Sequence, residues 1–239
     1  MLPFYFGRSD HRLFGTYDAP AEHSSPRGVL ICNAAGSEYY NAHRACRTLA
    51  RKLAGSGVHA MRFDYFGTGD SAGEEGDVRP DDWLGDVGTA VAELLDLAGL
   101  RKIDLVGLRV GAALAAAVAG GIPEIERICL WDPILDPSDI VGDTGLLGFS
   151  SEFLSGLGNT LRMEEMRLPA GSILVCTGND PARHEPLARR LKENSPELGF
   201  TFHREHGAWE SGGVEFGSLP APVQSLQTIS EWSLDRGGA

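Results

Sequence analysis

Gly107-Leu108-Arg109-Val110-Gly111 has the frame of a nucleophile elbow, Gly-x-Ser-x-Gly, with arginine in the position of the serine. The flanks suit that frame. Ile103 to Leu108 reads as a buried strand, and Val110 to Ala119 as an Ala-rich helix packed on a sheet. A strand-turn-helix of this kind thrusts its central side chain out at the C-terminal edge of the sheet. Gly107 and Gly111 leave the backbone room to approach its neighbours. The central residue is expected at positive φ, a strain of roughly 1–3 kcal/mol for a residue with a side chain. A guanidinium stays protonated at any working pH, so Arg109 cannot be a nucleophile.

Two more groups with chemistry follow along the chain, in the order elbow, acid, histidine. One strand runs into Thr177-Gly-Asn-Asp180-Pro, and the next into His203-Arg-Glu-His206-Gly. Asp180 is the candidate acid and His206 the candidate general base. Taken alone, Asp180 could cap the following helix and His206 could be an ordinary loop histidine. Their joint order behind an elbow favours a His-Asp base. His203 is the rival base, sharing a strand face with Glu205.

The turn Asn33-Ala-Ala-Gly-Ser-Glu38 is placed to supply an oxyanion hole, with the Ala35 and Val110 N–H groups as donors. A helix N-terminus carries about half a positive charge, so with Arg109 it makes a site for carboxylate, phosphate or enolate. The alternative is that Arg109 salt-bridges a nearby carboxylate. Ser37, Tyr39, His43, Tyr65 and Trp209 are the expected substrate contacts. Ser37, Cys32 and Cys176 are substitute nucleophiles to be weighed.

The elements that must hold these groups alternate. Phe4–Gly7 and Arg12–Tyr17 read as an opening antiparallel pair. Strands from Gly28, His59, Ile103, Ile125, Ser172 and Phe200 then interleave with helices over 40–54, 81–97, 110–119, 182–194 and 222–234. Such alternation implies right-handed crossovers and a mostly parallel sheet. Residues 134–168 break the pattern and read as a small cap within a single domain spanning 1–239.

The net charge of −12 argues against nucleic acid or an anionic membrane as partner, since both would repel the chain. The 4 cysteines have neither CxxC nor zinc-ligand spacing, so buried reduced thiols in a cytoplasmic protein are expected. No signal peptide and no membrane span is visible. The residues call for no metal or cofactor. The expected partner is a small molecule bearing an acyl or carboxylate group, and a homodimer is left open. The apolar cap stretches Leu146-Leu-Gly-Phe and Phe153-Leu would suit a partly hydrophobic acyl ligand.

Several blocks carry a resemblance. Glu38-Tyr39, His43-Arg44, Leu49-Ala50, Leu53-Ala54 and above all Arg62-Phe-Asp-Tyr-Phe-Gly-Thr-Gly-Asp-Ser-Ala-Gly73 resemble the serine-aminopeptidase-like α/β-hydrolases. Among these the chain most resembles the hydrolases associated with the exosortase A system, whose elbow often reads Gly-Leu-Arg-Leu-Gly. Trp131-Asp132-Pro133 matches the same pattern. The resemblance implies an α/β-hydrolase fold with a mostly parallel eight-stranded sheet, and it makes Arg109 a subgroup trait. It departs where the family's proline-rich turn is Asn33-Ala34-Ala35. The His-Asp base, Arg109 and the two N–H groups would themselves suit hydrolysis by activated water or acyloxy elimination. The alternative is an inactive binder of an anionic small molecule or a protein partner.

Overall fold

The computed structural model describes residues 1–20, 25–134, 150–160, 168, 172–178, 181–194, 198–203, 205 and 221–235. Strands β1 (Leu2–Arg8) and β2 (His11–Asp18) form the opening hairpin. Then follow β3 (Gly28–Cys32), α1 (Ser37–Gly55), β4 (His59–Phe63), α2 (Pro80–Ala98), β5 (Ile103–Leu108), α3 (Val110–Ala119) and β6 (Ile125–Trp131). Helix α4 (Ser151–Thr160), β7 (Ile173–Thr177), α5 (Pro181–Asn194), β8 (Gly199–Phe202) and α6 (Val223–Leu234) complete the described elements. The 8 strands make one sheet in the order β1-β2-β4-β3-β5-β6-β7-β8. It is parallel from β4 to β8 and antiparallel at β1-β2 and β2-β4.

The apolar runs explain this arrangement. Strands β3, β5 and β7 are buried at every residue, the pattern of strands covered on both faces. Alternate residues feed two cores. Leu30, Met61, Leu105, Ile128 and Val175 pack toward α2, α3 and α5. Val29, Ile31, Ala60, Val106, Cys129 and Cys176 pack toward α1 and α6. All four thiols are buried and unpaired. Pro80 opens α2, where its missing N–H costs nothing.

One buried ion pair fixes the far end of the chain. Arg127 Nε on β6 donates to Asp104 Oδ1 on β5 at 3.1 Å. The same guanidinium donates to the carbonyls of Trp232 at 2.9 Å and Ser233 at 3.1 Å, holding the end of α6. The expected elements are found with two differences. Helix α1 begins at Ser37 rather than Tyr40, directly out of the turn at Gly36, and most of the expected 134–168 cap lies outside the described residues. No helix among the described residues is long and apolar enough to cross a membrane.

Candidate active site

The elbow stands at the C-terminal end of β5. Arg109 has φ 56 and ψ −118, the strained positive-φ conformation expected there. Its N–H donates to Trp131 O at 3.0 Å, which ties the turn to the end of β6. The two glycines answer to close approach. A Cβ on Gly111 would lie 2.3 Å from Cys32 O, and one on Gly107 would lie 2.4 Å from Ala112 Cα. Neither neighbour is a flexible side chain, so α3 sits against the end of β3 because Gly111 lacks a side chain, and turns back onto the end of β5 because Gly107 does.

The arginine does not present a bare charge. Its Nε donates to Glu38 Oε1 at 2.7 Å, and its Nη1 to Asp132 O at 3.2 Å. Both members of the ion pair are largely buried, with side chains 13% and 7% exposed. Glu38 occupies the first turn of α1, directly after the oxyanion turn. The salt-bridge alternative is therefore what is observed. The charge is compensated, and Nη2 makes no hydrogen bond among the described residues.

The turn after β3 is held from beneath. Asn33 Nδ2 donates to Phe63 O at 3.0 Å, and Gly36 takes φ 66. Among the described residues neither the Ala35 nor the Val110 amide donates to an acceptor, which leaves two backbone donors on either side of the elbow. Ala35 and Gly36 also line a cleft of about 600 Å³ together with Tyr39, Tyr40, Thr68 and Glu74. The wall from Gly67 to Gly76 is organised by Asp64. Its Oδ1 accepts from Tyr39 Oη at 2.8 Å, its Oδ2 from Asp70 N–H at 3.1 Å, and its carbonyl from Ser71 Oγ at 2.6 Å. Burial raises the Asp64 carboxyl above its ordinary value, and the hydrogen bonds from Asp70 N–H and Tyr39 Oη pull it part of the way back. Burial, then the Asp64 charge, pushes the Tyr39 phenol well up.

The other expected contacts divide. Tyr39 lines the cleft, whereas His43 is an exposed α1 residue beside Tyr39 and outside the lining. Tyr65 is 1% exposed, stacks on Trp83, and donates its hydroxyl to Asn33 O at 3.2 Å, so it packs in the core beneath the turn after β3. Cys32 and Cys176 are sealed in the core, and burial raises both thiols, Cys176 to about 12, so neither offers a thiolate. His203 is engaged with Thr228 of α6, Nε2 to Oγ1 at 2.7 Å. Asp180, His206 and Trp209 lie outside the described residues, as does the Ser37 side chain.

Reading the sequence named Glu38 and Asp132 without giving either a role. Their partners are 71 and 23 residues away from them at Arg109, so no local spacing signals the contacts.

Residues 25–194 match the family described as serine aminopeptidase, S33. The chain belongs to the S33 serine aminopeptidase family. Solved structures of the same fold surround this S33-family chain. Est1E from Butyrivibrio proteoclasticus with bound ferulic acid has a TM-score of 0.70 at 15% identity, covering 96% of each chain. A Pyrococcus furiosus esterase has a TM-score of 0.67 at 16% identity, over 97% of this chain and 86% of that one. The thioesterase domain from the curacin biosynthetic pathway has a TM-score of 0.63 at 15% identity, over 98% and 99%. No curated protein sequence matches the chain. The family and its structural neighbours are hydrolases and esterases, and the fold is that of the α/β-hydrolases.

Proposed function

We propose that this S33-family chain is an enzyme acting on a small molecule that bears an acyl or ester group, without a serine nucleophile. His206, oriented by a carboxylate, takes a proton from water for hydrolysis or from a substrate C–H for acyloxy elimination. Ala35 N–H and Val110 N–H hold the developing oxyanion, and Arg109 Nη2 holds a substrate oxygen or carboxylate. The observation that carries this reading is the elbow itself. Arg109 keeps φ 56, at a strain of roughly 1–3 kcal/mol, in a turn whose Val110 amide, like that of Ala35 after β3, donates to no acceptor among the described residues. Est1E, similar in fold, holds ferulic acid, a carboxylic acid of the kind that hydrolysis of an ester releases. Oxyanion hole and binding alone leave about a 10³-fold rate enhancement in serine enzymes stripped of their triad, which gives such a site a starting point. The Phe63 to Gly73 block and the arginine elbow also support kinship with the exosortase A system-associated hydrolases.

A second reading, a binder without turnover, is favoured by the Arg109–Glu38 ion pair, which fills the nucleophile's place. Turnover of a panel of acyl esters and acylated enols separates the two. Loss of wild-type activity in both His206→Ala and Arg109→Ala is expected for the serine-free enzyme. A silent wild type with esterase activity in Arg109→Ser would establish the binder instead.

A further inference from the structure

The charges of this chain are not spread evenly. Helix α2 bears Asp81, Asp82, Asp86, Glu93 and Asp96 and no basic residue. Helix α1, on the opposite face of the sheet, bears Arg44, Arg47, Arg51 and Lys52 against Glu38 alone. Glu38 is buried and already paired with Arg109, so it neutralises none of them. On a chain of net charge −12, α1 is a cationic strip.

The strip is built on one side of the helix. Arg44, Arg47 and Arg51 follow one another at helical spacing, over about 10 Å of helix length. All three are exposed, and none makes an ion pair among the described residues. Lys52 is turned aside to Gln227 of α6. Like charges so spaced repel and weaken a helix. A merely solvated face intersperses acids with bases, and past Glu38 this helix has no acid. Arg62 of β4 adds charge of the same sign. It is buried, its Nε has no hydrogen-bond partner among the described residues, and its Nη2 donates to the Met1 sulfur at 3.7 Å. The Arg62 and Arg47 charges meet at His43 of α1, where both oppose protonation of the ring. Asp64, the acid within reach of that ring, is held by Tyr39 Oη and Asp70 N–H.

We propose that this side of α1 docks an acidic helix of a partner protein. A helix with carboxylates at the same spacing presents them over the same length, one to each guanidinium. The strip is too short for an extended polyanion. Glu74 and Glu75 stand beyond its N-terminal end, around the cleft, and Glu231 follows Gln227 on α6. A nucleic acid strand or an anionic membrane running along the strip therefore meets like charge within about a Debye length, roughly 8–10 Å. Tyr39 and Tyr40 open the same helix and line the cleft, so a protein seated on Arg44 stands at the edge of that cleft. The docking does not depend on the chain being an enzyme.

The probe is a synthetic helical peptide with glutamates at i, i+4 and i+7, compared with the same peptide carrying glutamines there. Amide shifts of the full chain are followed by NMR as each peptide is added. The expected result is a set of shifts concentrated over 40–52 with the glutamate peptide alone. Affinity should fall about tenfold in Arg44→Gln/Arg47→Gln/Arg51→Gln and hold in Arg101→Gln/Lys102→Gln, which removes charge elsewhere. The three arginines are exposed, so the triple variant should keep the wild-type denaturation midpoint, which separates lost docking from a lost fold. Should it unfold, Arg44→Gln and Arg51→Gln decide singly, each expected to weaken binding about twofold. No binding, equal binding of the glutamine peptide, or shifts scattered over the chain overturns the proposal. Tighter binding of phosphatidylserine vesicles or of a duplex oligonucleotide, lost in the triple variant, overturns it in favour of a membrane or a nucleic acid. Self-association of the chain at low salt, lost in the same variant, overturns it in favour of the acidic α2 of a second copy.

Discussion

Arg109 and Glu38 form a largely buried ion pair, Nε to Oε1 at 2.7 Å, in the space where a serine hydrolase keeps its nucleophile. The pair joins the elbow to the first turn of α1. Replacing one partner strands a buried charge, whereas replacing both does not.

The first expectation concerns stability. Arg109→Ser and Glu38→Gln should each destabilise the fold, Arg109→Ser by about 3 kcal/mol despite the serine being the residue the motif calls for. The double variant should recover about 2 kcal/mol of the sum in chemical denaturation, the coupling of a contacting pair. Strict additivity of the two single changes would show that the pair does nothing for the fold.

A second expectation concerns pH. Burial holds the His59 imidazole below its ordinary value of 6.5, and burial followed by the Arg62 charge does the same for His43. His59 Nδ1 is also bonded to the Tyr17 hydroxyl. Both rings accept a proton more readily in the unfolded chain. Their contribution to stability is therefore intact above pH 6.5 and is lost as the pH falls from there through their folded values. The buried carboxyls of Asp64, Asp86 and Asp104, raised above 3.8 chiefly by burial, act with the opposite sign. Denaturation midpoints from pH 7.5 to 5 should fall in the wild type and fall less in His43→Gln/His59→Gln. An identical slope in both proteins would mean that neither ring resists protonation.

A third expectation concerns the last helix. Arg127 reads the Asp104 carboxylate on one side and two carbonyls of α6 on the other, with its guanidinium 4.6 Å from the Trp232 ring centre. Arg127→Leu should cost about 3 kcal/mol, because it strands Asp104 as well as releasing α6. Amide exchange over 223–234 should accelerate more than exchange in β5. Uniform acceleration throughout the sheet would place the loss in global stability rather than in the clamp.

Much of this molecule is legible in its sequence because the governing signals are local. The run Ile103 to Leu108, a glycine on each side of Arg109 and an Ala-rich helix behind it can build little other than an elbow. The alternation of apolar runs from Gly28 to Phe200 fixes the parallel sheet in the same way. What escapes are contacts between strand ends. Nothing near Glu38 announces Arg109, 71 residues on. Tyr65 reads as a site residue because it is an aromatic residue in the block beyond the end of a strand. Its side chain nevertheless turns under the sheet edge onto Trp83, a choice made by packing rather than by spacing.

The four buried thiols divide between the two faces of the sheet, Cys129 and Cys176 beneath α1 and α6 with Cys46 on the inner side of α1, and Cys32 toward α2 and α3. A thiol reagent can reach them only when the layer above opens, so each carries its own timer. If the two layers separate from the sheet together, all four label at one rate. If α1 and α6 lift first, three sulfurs are consumed while the fourth, directly before the oxyanion turn, stays dark.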